Sequence, residues 1–436
     1  MIRLFDLSLK LNGFPIKKAK VELDKIVHFS EEEYSLFLEN KKKEIVDFHL
    51  KNNLFYSELA GNATAENWEN LPILTKQNLQ KPLEERLSKD YSKKNIYLNK
   101  TSGSSGTPFV FAKDKYAHAL TWSSIIMRFG WFRIDFNHSF QARFYGIPLD
   151  FIGYQKERFK DFLTRRFRFP VFDLSDEILD KFLQKFKTKK FDYINGYTSS
   201  IVLFAKYLEN NNIILNKVCP TLKACFVTSE MLFESDKKLL EKQFGIPIIR
   251  EYGASELDLI AFENPDGEWQ INSETLFVEI LDENNNLVPH GTEGKIVITS
   301  LFNKAHPFIR YEIGDIGILD EKSTPKKPIL KKLIGRTNDV AILPSGKKSP
   351  GLTFYYVTKS IIEDDGNVKE FIIKQTKIDA FEIEYVADAA LVSEQIQKIK
   401  GAIDLYLEPN LNFTFTRKSV LERSNRGKLK QFQSNL

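Results

Sequence analysis

The stretch Thr101-Ser102-Gly103-Ser104-Ser105-Gly106-Thr107-Pro108 decides how the rest of this sequence is interpreted. Its two glycines let the backbone turn its amides inward into a concave anion-binding nest, and the hydroxyl side chains add further donors. The runs Asn95–Leu98 and Phe109–Ala112 on either side are typical of short strands. We therefore predict a hairpin whose tip, residues 101–107, cradles phosphate.

Three other interpretations of this loop are weaker. A Walker loop needs a Gly-Lys-Ser/Thr triplet that opens a helix, and no lysine follows Gly106. A hydrolase nucleophile elbow needs Gly-x-Ser-x-Gly, and Gly103-Ser104-Ser105-Gly106 misses that spacing by one residue. A flexible linker is disfavoured because the stretch is short, lies between apolar runs and ends in Thr-Pro.

The composition is that of a globular protein with more than one domain. The chain has 436 residues, of which 42% are hydrophobic and 28% are charged. Its net charge of +5 is small and dispersed, which argues against a nucleic-acid partner but is compatible with small anionic ligands such as nucleotides. The 36 phenylalanines predict aromatic cores or an aromatic pocket.

The cysteines and the apolar runs predict a cytoplasmic protein. Cys219 and Cys225 do not form a Cys-x-x-Cys metal pair, and we expect both to be buried in a reducing compartment. The first residues lack the long apolar stretch of a signal peptide, and no run of 18 apolar residues predicts a transmembrane segment. The oligomeric state stays open, a homodimer included.

The first 94 residues are predicted to be mostly helical and carry no obvious chemistry. Ser30, followed by three glutamates, is typical of a capped helix start. Residues 41–56 continue with helical spacing. A further helix is predicted to begin within Leu71–Leu79, with Thr75 as its cap.

The middle of the chain predicts an α/β fold with a parallel sheet. The strands Phe191–Ile194, Lys223–Val227 and Ile246–Arg250 each precede a polar loop, and helices lie between them. Ligands of such sheets lie beyond the carboxyl ends of the strands. The loops after these three strands are therefore expected to meet one ligand.

The last third of the chain predicts an antiparallel β subdomain and then a small domain. Leu276–Leu281 and Lys295–Ser300 are predicted to form a hairpin around a polar turn. Gly335-Arg336-Thr337-Asn338-Asp339 is expected to close the large domain. About a hundred residues remain, and they predict a small α+β domain with one helix near Ser393–Lys400.

Five later residues have a physical use if the loop binds phosphates. Tyr252 can stack on a purine, Glu256 can ligate Mg²⁺, and Asp315 can accept hydrogen bonds from ribose hydroxyls. Arg336 can pair with phosphate or sugar oxygens, and Lys428 can neutralise charge that develops on an α-phosphate. Each also has an ordinary structural explanation, as a core residue, a helix cap, a turn or a surface charge.

The order of these motifs resembles the adenylate-forming superfamily, and most closely its phenylacetate–CoA ligase branch, which includes capsule-biosynthesis proteins of the CapK type. The motifs are the loop 101–108, Glu251-Tyr252-Gly253-Ala254-Ser255-Glu256, Tyr311–Asp315, Gly335–Asp339 and Gly427-Lys428. The resemblance implies a large nucleotide- and acyl-binding domain over 1–336, a hinge at 337–340 and a small mobile lid over 341–436.

The resemblance also implies the roles of single residues. The ATP-binding residues it implies are Thr101, Ser102, Gly103, Ser104, Ser105, Gly106, Thr107, Ser229, Glu230, Tyr252, Gly253, Asp315 and Arg336. Glu256 would hold Mg²⁺, and Lys428 matches the adenylation lysine. Phe140–Tyr145, Tyr197 and Phe226–Met231 are candidates, by position, for an aromatic pocket that holds the acid.

The implied activity is ATP-dependent formation of an acyl-adenylate and pyrophosphate, followed by acyl transfer to coenzyme A. Two departures bear on it: Asn338 replaces a frequent hinge acid, and Leu343–Lys348 replaces a glycine-rich stretch that helps accept CoA. Transfer to an amine, such as an amino sugar in surface polysaccharide assembly, therefore stays open, as does a nucleotide-binding protein without turnover. Because Phe262–Trp269 contains neither cysteine nor histidine, no zinc is expected.

Overall fold

The chain forms two compact units. The computed structural model describes residues 4–101, 109–146, 151–336, 340–346, 348–350, 368–406, 408–423 and 429–436, with the backbone alone at 151–153, 156, 336, 340, 348–350, 402, 405 and 406. The first unit comprises Met1–Ile313 and Ile318–Lys332, and the second comprises Gly314–Gly317 and Leu333–Leu436. The division after Lys332 lies four residues before the predicted domain end at 336, and the hinge at 337–340 stays a prediction.

The first unit begins with helices, as predicted. They are α1 (Leu4–Leu11), α2 (Ile16–Val27), α3 (Glu31–Asn52), α4 (Leu54–Ala60) and α5 (Leu83–Arg86). Ser30 caps α3 by accepting a 3.1 Å hydrogen bond from the Glu33 amide, and the Glu33 carboxylate accepts from the Ser30 amide at 2.7 Å. This reciprocal capping box confirms the predicted helix start.

The predicted helix within Leu71–Leu79 is wrong. Leu74 instead forms a bridge with Tyr311, in which the Leu74 amide donates to the Arg310 carbonyl at 3.0 Å. Thr75 does bond Asn78, but only a single 3₁₀ turn, Asn78–Gln80, follows. Pairing with a distant strand has overridden the local helical preference.

The predicted hairpin is confirmed. Strand β1 (Ile96–Lys100) pairs antiparallel with β2 (Val110–Asp114), and Lys100 lies opposite Val110. Helix α6 (Lys115–Trp131) follows at once, because the Asp114 carboxylate caps it by accepting from the amides of Tyr116 and Ala117 at 2.9 and 2.8 Å.

A seven-stranded sheet forms the centre of the first unit, with the order β4-β3-β5-β6-β7-β8-β9. The first five strands in this order are parallel, and β8 and β9 add antiparallel pairs at one edge. The strands are β3 (Gln141–Phe144), β4 (Arg166–Phe169), β5 (Tyr193–Tyr197), β6 (Ala224–Thr228), β7 (Ile248–Ala254), β8 (Asp258–Glu263) and β9 (Trp269–Ile271). The intervening helices are α7 (Phe151–Leu163), α8 (Asp176–Thr188), α9 (Thr198–Asn210), α10 (Leu215–Val218) and α11 (Glu234–Phe244).

The two faces of this sheet carry separate aromatic cores. Phe144 packs against Phe204 of α9 with ring centroids 5.7 Å apart, within a cluster that also takes in α8 and α11. On the other face, Phe226 stacks on Phe129 of α6 at 4.2 Å. Each fully buried aromatic side chain contributes about 1.5–3 kcal/mol of transfer free energy, so these cores make the sheet a rigid base for its loops.

A four-stranded sheet, β10-β11-β12-β13, confirms the predicted antiparallel hairpin. Its strands are β10 (Leu276–Leu281), β11 (Glu293–Ser300), β12 (Tyr311–Leu319) and β13 (Leu330–Arg336). Val278 lies opposite Ile298, and the Asp282 carboxylate accepts the amides of Asn284 and Asn286 at 2.8 Å to close the turn.

The second unit is α+β, as predicted. Its elements beyond β13 are β14 (Val340–Ile342), β15 (Lys348–Pro350), β16 (Val368–Lys377), β17 (Ala380–Ala387), α12 (Ser393–Tyr406), β18 (Asn412–Arg417) and β19 (Phe432–Ser434). Four of the strands form a mixed sheet with the order β18-β17-β16-β19, and β14 pairs with β15.

Both cysteines are buried and unpaired, in agreement with the prediction. Burial raises the pKa of the Cys225 thiol, so this group stays protonated and inert. Among the described residues, the helices are all too short or too polar to cross a bilayer.

A buried arginine ties the amino-terminal segment to the antiparallel sheet. Arg310, which is 2% exposed, donates to the carbonyls of Trp68, Glu69 and Leu71 at 3.3, 2.8 and 3.2 Å. Its Nη2 lies 3.3 Å from Oε1 of Glu279. Burial raises the pKa of Glu279, and the charge of Arg310 opposes that shift.

Replacing Arg310 by methionine is expected to destabilise the first unit by about 3–5 kcal/mol, since it removes the charge beside the buried Glu279 carboxyl and the Nη1 donor shared by three carbonyls. Urea unfolding followed by tryptophan fluorescence measures the loss. This signal reports the first unit because that unit contains every tryptophan of the chain, Trp68, Trp122, Trp131 and Trp269.

The matched control is Lys331→Met, which removes an exposed ammonium 3.0 Å from Glu321 and is expected to leave the unfolding midpoint unchanged. Equal midpoints for the two variants would show that the Arg310 network does not support the fold.

Candidate active site

Three neighbouring parallel strands place polar residues at one edge of the seven-stranded sheet. The ends of β5 at Tyr197 and of β6 at Thr228 lie opposite each other, and Thr228 lies opposite Glu251 of β7. Because parallel strands present their carboxyl ends at the same edge, the residues that follow them lie together. This edge is the candidate site.

The turn after β6 is joined to the turn after β5. Ser229 has a left-handed backbone with φ of 70°, which turns Glu230 back toward α9. The Glu230 carboxylate accepts from the Ser199 amide at 2.7 Å, and its carbonyl accepts from the Thr198 hydroxyl at 3.2 Å. A carboxylate at the first turn of α9 is also favoured by the helix dipole.

Strand β7 runs further than predicted and brings Tyr252 and Gly253 into the sheet. A Cβ atom at Gly253 would lie 2.4 Å from the carbonyl oxygen of Asp258 on β8, so only glycine fits here. Tyr252 is buried, with its ring edge-on to Trp269 at 6.1 Å between centroids. The stacking of Tyr252 on adenine stays a prediction.

Glu256 contacts a residue from a distant part of the chain. Its Oε1 accepts a 3.0 Å hydrogen bond from the hydroxyl of Tyr311, which lies 55 residues further on. The carboxylate is 8% exposed, and its Oε2 has no partner among the residues that the structure describes. Since strand β8 follows, Glu256 does not cap a helix.

One carboxylate with an uncommitted oxygen suits Mg²⁺, which takes one or two carboxylates together with phosphate oxygens. The described ranges contain no group of three or more His, Cys, Asp or Glu that could form an all-protein metal cage. Glu256 therefore fits a metal that arrives with a nucleotide. The predicted absence of zinc stays a prediction.

Thr101 closes the base of the predicted phosphate loop. Its amide donates to the Phe109 carbonyl, and the Phe109 amide donates to the Thr101 hydroxyl, both at 3.0 Å. Lys113 on the same hairpin forms a buried ion pair with Asp258, whose carbonyl faces Gly253. The hairpin is thus fastened to the turn that follows β7.

The remaining predicted site residues are eight that lie wholly or in part outside the described residues, and Asp315 on β12. Ser102, Gly103, Ser104, Ser105, Gly106, Thr107 and Lys428 lie outside the described residues, as does the side chain of Arg336. Asp315 is buried on β12, in the short segment Gly314–Gly317 that groups with the second unit. Their roles stay predictions.

Two relatives emerge from comparison with curated proteins. The chain is 27% identical over 402 residues to Protein CapK of Staphylococcus aureus, a match that covers 87% of this chain and 84% of that protein. It is 24% identical over 173 residues to the phenylacetate-coenzyme A ligase of Aromatoleum evansii, which covers 35% and 38% of the two chains. No family model matches.

Solved structures share the fold at low identity. A 2-hydroxyisobutyryl-CoA ligase in complex with 2-HIB-AMP superposes with a TM-score of 0.70 at 15% identity, over 92% of this chain and 89% of the ligase. This chain has the fold of the adenylate-forming ligases. The amide bond synthetase McbA of Marinactinospora thermotolerans also superposes, with a TM-score of 0.54 at 15% identity over 79% of this chain and 68% of McbA.

The resemblance predicted from the motif order is therefore confirmed, and the two sequence relatives represent the predicted branch. The adenylate-forming fold also explains why the chain pairs a parallel sheet with an antiparallel one and a separate α+β unit. The parallel sheet, the antiparallel sheet and the α+β unit follow one another along the chain in the order that the sequence predicted.

The sequence analysis missed a polar group on the sheet face beneath this edge. The Thr228 hydroxyl donates to Oε1 of Glu251 at 2.9 Å, and Arg143 of β3 acts electrostatically on the same carboxyl. Rings of Tyr145 and Tyr197 lie 4.5 Å apart beyond the strand ends. The sequence signal that could have identified Arg143 is a charged residue between the apolar residues of the short strand Gln-Ala-Arg-Phe.

The aromatic residues nominated for the acid pocket divide into two groups. Phe226 is fully buried in a core cluster, and Phe140 stacks on Phe191 at 4.8 Å. These two rings support the sheet. Tyr145 and Tyr197 lie at the carboxyl edge and remain candidates for the pocket.

Glu251→Gln is expected to become more stable than the unchanged protein as pH rises above 4.5, the ordinary pKa of the group. Burial raises the pKa of Glu251 despite the opposing Thr228 hydrogen bond and Arg143 charge. The folded state therefore binds this proton more tightly than the unfolded chain, so wild-type stability falls with rising pH and a glutamine escapes the loss. Melting temperatures between pH 4.5 and 7.5 measure the difference.

Glu268→Gln provides the opposite control. A hydrogen bond from Lys327 lowers the pKa of this half-buried carboxyl, so its variant is expected to gain no stability with rising pH. If Glu251→Gln also gains none, Glu251 does not carry a raised pKa in the folded protein.

Proposed function

We propose that this chain is an ATP-dependent, AMP-forming carboxylate ligase that makes an acyl-adenylate and then passes the acyl group to coenzyme A. The observation that carries the proposal is the 3.0 Å contact between Tyr311 and Glu256. It brings together two motifs that are 55 residues apart, at the sheet edge where the turn Ser229–Glu230 also lies.

The first step joins a carboxylate oxygen to the α-phosphorus of ATP and releases pyrophosphate. Such a step depends on positioning and on donors aimed at the charge that develops on the phosphoryl oxygens. Residues 101–107 would hold the phosphates, and the Thr101–Phe109 hydrogen bonds fix the base from which that loop extends. Lys428 would neutralise charge between the carboxylate and the α-phosphate.

Glu256 would hold the magnesium ion, which neutralises phosphate charge when bound. The hydrogen bond from Tyr311 fixes the Glu256 carboxylate and leaves Oε2 for that purpose. Because this metal-binding carboxylate is already held in one orientation, it loses little conformational entropy when the magnesium ion and the nucleotide bind.

The resemblance also implies which residues would hold the nucleoside. Tyr252 and Gly253 would lie against the adenine with Ser229, and Asp315 and Arg336 would bind the ribose. Since the Glu230 carboxylate already bonds the Ser199 amide, we assign Glu230 a positioning role for this turn.

We further propose that the second unit acts as a mobile lid, with its hinge at 337–340, because Lys428 belongs to that unit. The cytoplasmic location predicted from the sequence remains a proposal of the same kind, and the oligomeric state stays open, a homodimer included.

An amine acceptor is the second candidate. It is supported by the extent of the CapK match, which covers 87% of this chain, against 35% for the phenylacetate-coenzyme A ligase. The fold likeness to an amide bond synthetase agrees with it. A nucleotide-binding protein without turnover is disfavoured because the sequence retains both Glu256 and Lys428.

Lys428→Ala is expected to lower acid-dependent pyrophosphate release by about 100-fold or more, since it removes a charge used only as the transition state forms. Glu256→Gln is expected to lower the rate and to raise the Mg²⁺ concentration at half-maximal rate. A coupled pyrophosphate assay with ATP, Mg²⁺ and a panel of acids measures both.

Lys430→Ala, two residues from Lys428, is the matched control and is expected to stay within about twofold of wild type. Pyrophosphate release that is unchanged in Lys428→Ala would contradict the catalytic assignment.

The acceptor is identified by supplying CoA or an amino sugar to the enzyme with its acid and ATP. We expect a thioester, detected by mass spectrometry, and AMP formation that rises with CoA. An amide product together with indifference to CoA would replace the CoA proposal with the amine alternative.

A further inference from the structure

Arg143 is a positive charge without a partner among the residues that the structure describes. It lies on β3, half-buried, and makes no hydrogen bond or ion pair with any residue that the structure describes. Its Nε is buried and unsatisfied. The guanidinium packs against the ring of Tyr145, with 4.0 Å between its central carbon and the ring centroid.

The neighbouring arginines on the same sheet face are neutralised. Arg168, directly opposite Arg143 on β4, donates to Asp161 at 2.9 Å and to Glu157 at 2.8 Å. Arg166 lies 3.0 Å from the same Asp161. The described residues therefore supply acids for two of these three arginines and none for Arg143.

The polar groups around Arg143 are already committed elsewhere. Asn195, its neighbour on β5, accepts from Gln141 at 3.2 Å and donates to the Phe226 carbonyl at 3.4 Å. Glu251 is close enough to act electrostatically, but it bonds Thr228 and forms no ion pair with Arg143. No carboxylate of the described residues forms an ion pair with Arg143.

A half-buried guanidinium loses hydration that no internal hydrogen bond replaces, and native proteins rarely accept that cost without a reason. A half-buried charge without an internal hydrogen-bond partner is expected where a bound ligand supplies that partner. Arg143 is the last but one residue of β3, at the carboxyl edge where ligands of parallel sheets lie. The Tyr145–Tyr197 ring pair stands next to it at the same edge.

We propose that Arg143 binds a second oxyanion on the acyl substrate, so that the enzyme activates a dicarboxylic acid or a similar doubly anionic acid. This inference rests on the proposed ligase function. The planar guanidinium matches a carboxylate in a two-pronged contact. One carboxylate would react with ATP, and the other would pair with Arg143, with the tyrosine rings against the chain between them. A purely apolar acid would leave Arg143 unpaired.

The test compares acids that differ only in the second charge: succinate with butyrate, glutarate with pentanoate, and terephthalate with benzoate. Wild-type enzyme is expected to release pyrophosphate with at least one doubly charged acid, at a kcat/KM about tenfold or more above that for its partner. A comparison of 3-phosphonopropionate with succinate shows whether the second anionic group, the one that pairs with Arg143, is a phosphonate or a carboxylate.

Arg143→Met is expected to lose about tenfold or more in kcat/KM for the doubly charged acid, mainly through KM, and to change little with its singly charged partner. Arg143→Lys keeps the positive charge but lacks the planar, two-pronged guanidinium. Its kcat/KM for the doubly charged acid is expected to lie between those of wild type and Arg143→Met. Lys190→Met, which removes an exposed charge before β5, is the control and is expected to match wild type.

Stability supplies a second readout. Because Arg143 has no partner in the described part of the chain, Arg143→Met is expected to melt at the wild-type temperature or above it when no ligand is present. The doubly charged acid is expected to raise the melting temperature of wild type but not of the variant. A variant that melts well below wild type without ligand would assign Arg143 a structural role and overturn the inference.

The outcomes separate this inference from the proposed function. Equal rates for paired acids, with no effect of Arg143→Met, would overturn the inference and leave the ligase function standing. An Arg143-dependent rise in melting temperature without pyrophosphate release would keep the anion site and overturn the ligase function. Neither effect with any acid would overturn both.

Discussion

The buried guanidinium of Arg310 is the interaction on which the rest of the first unit depends. It gathers three carbonyls of the segment 68–71 and the Glu279 carboxyl into one network inside the fold. The next residue, Tyr311, is held against Leu74 and reaches Glu256. A buried ion pair of this kind adds little net stability over apolar packing, but it strongly penalises any other register of β12. The position of the Glu256 carboxylate is therefore set by the arginine beside Tyr311.

The seven-stranded sheet separates stability from chemistry. Its two faces are filled by phenylalanines from α6, α8, α9 and α11, which make its interior rigid. Polar residues are concentrated at the carboxyl edge, where Glu230, Thr228 and Glu251 are each held by a specific hydrogen bond. Arg143 is the exception, since nothing in the described chain pairs with it. A rigid base with one unsatisfied charge is suited to selecting a ligand by its charge.

Much of this arrangement follows from the sequence, and the exceptions have physical reasons. Short apolar runs that end in polar residues predicted β5, β6 and β7, and two strands around a Gly/Ser stretch predicted the β1–β2 hairpin. The helix near Leu74 failed because pairing with Tyr311 is a long-range contact that local spacing cannot reveal. The same limit applies to Arg143, because the lack of a partner is a property of the packed structure. The capping role of Glu230 likewise needed the position of Ser199.

Gly253 has a consequence for how such sequences are compared. The obstacle to a side chain there is the main-chain oxygen of Asp258, which no rotamer change can move aside. The glycine is therefore required by the pairing of β7 with β8, whether or not a nucleotide is ever bound. A descendant of this chain that bound no nucleotide would still retain this glycine. A glycine at this position in a distant sequence therefore indicates that the pairing of β7 with β8 is intact. Whether such a sequence still binds a nucleotide has to be judged from the neighbouring residues.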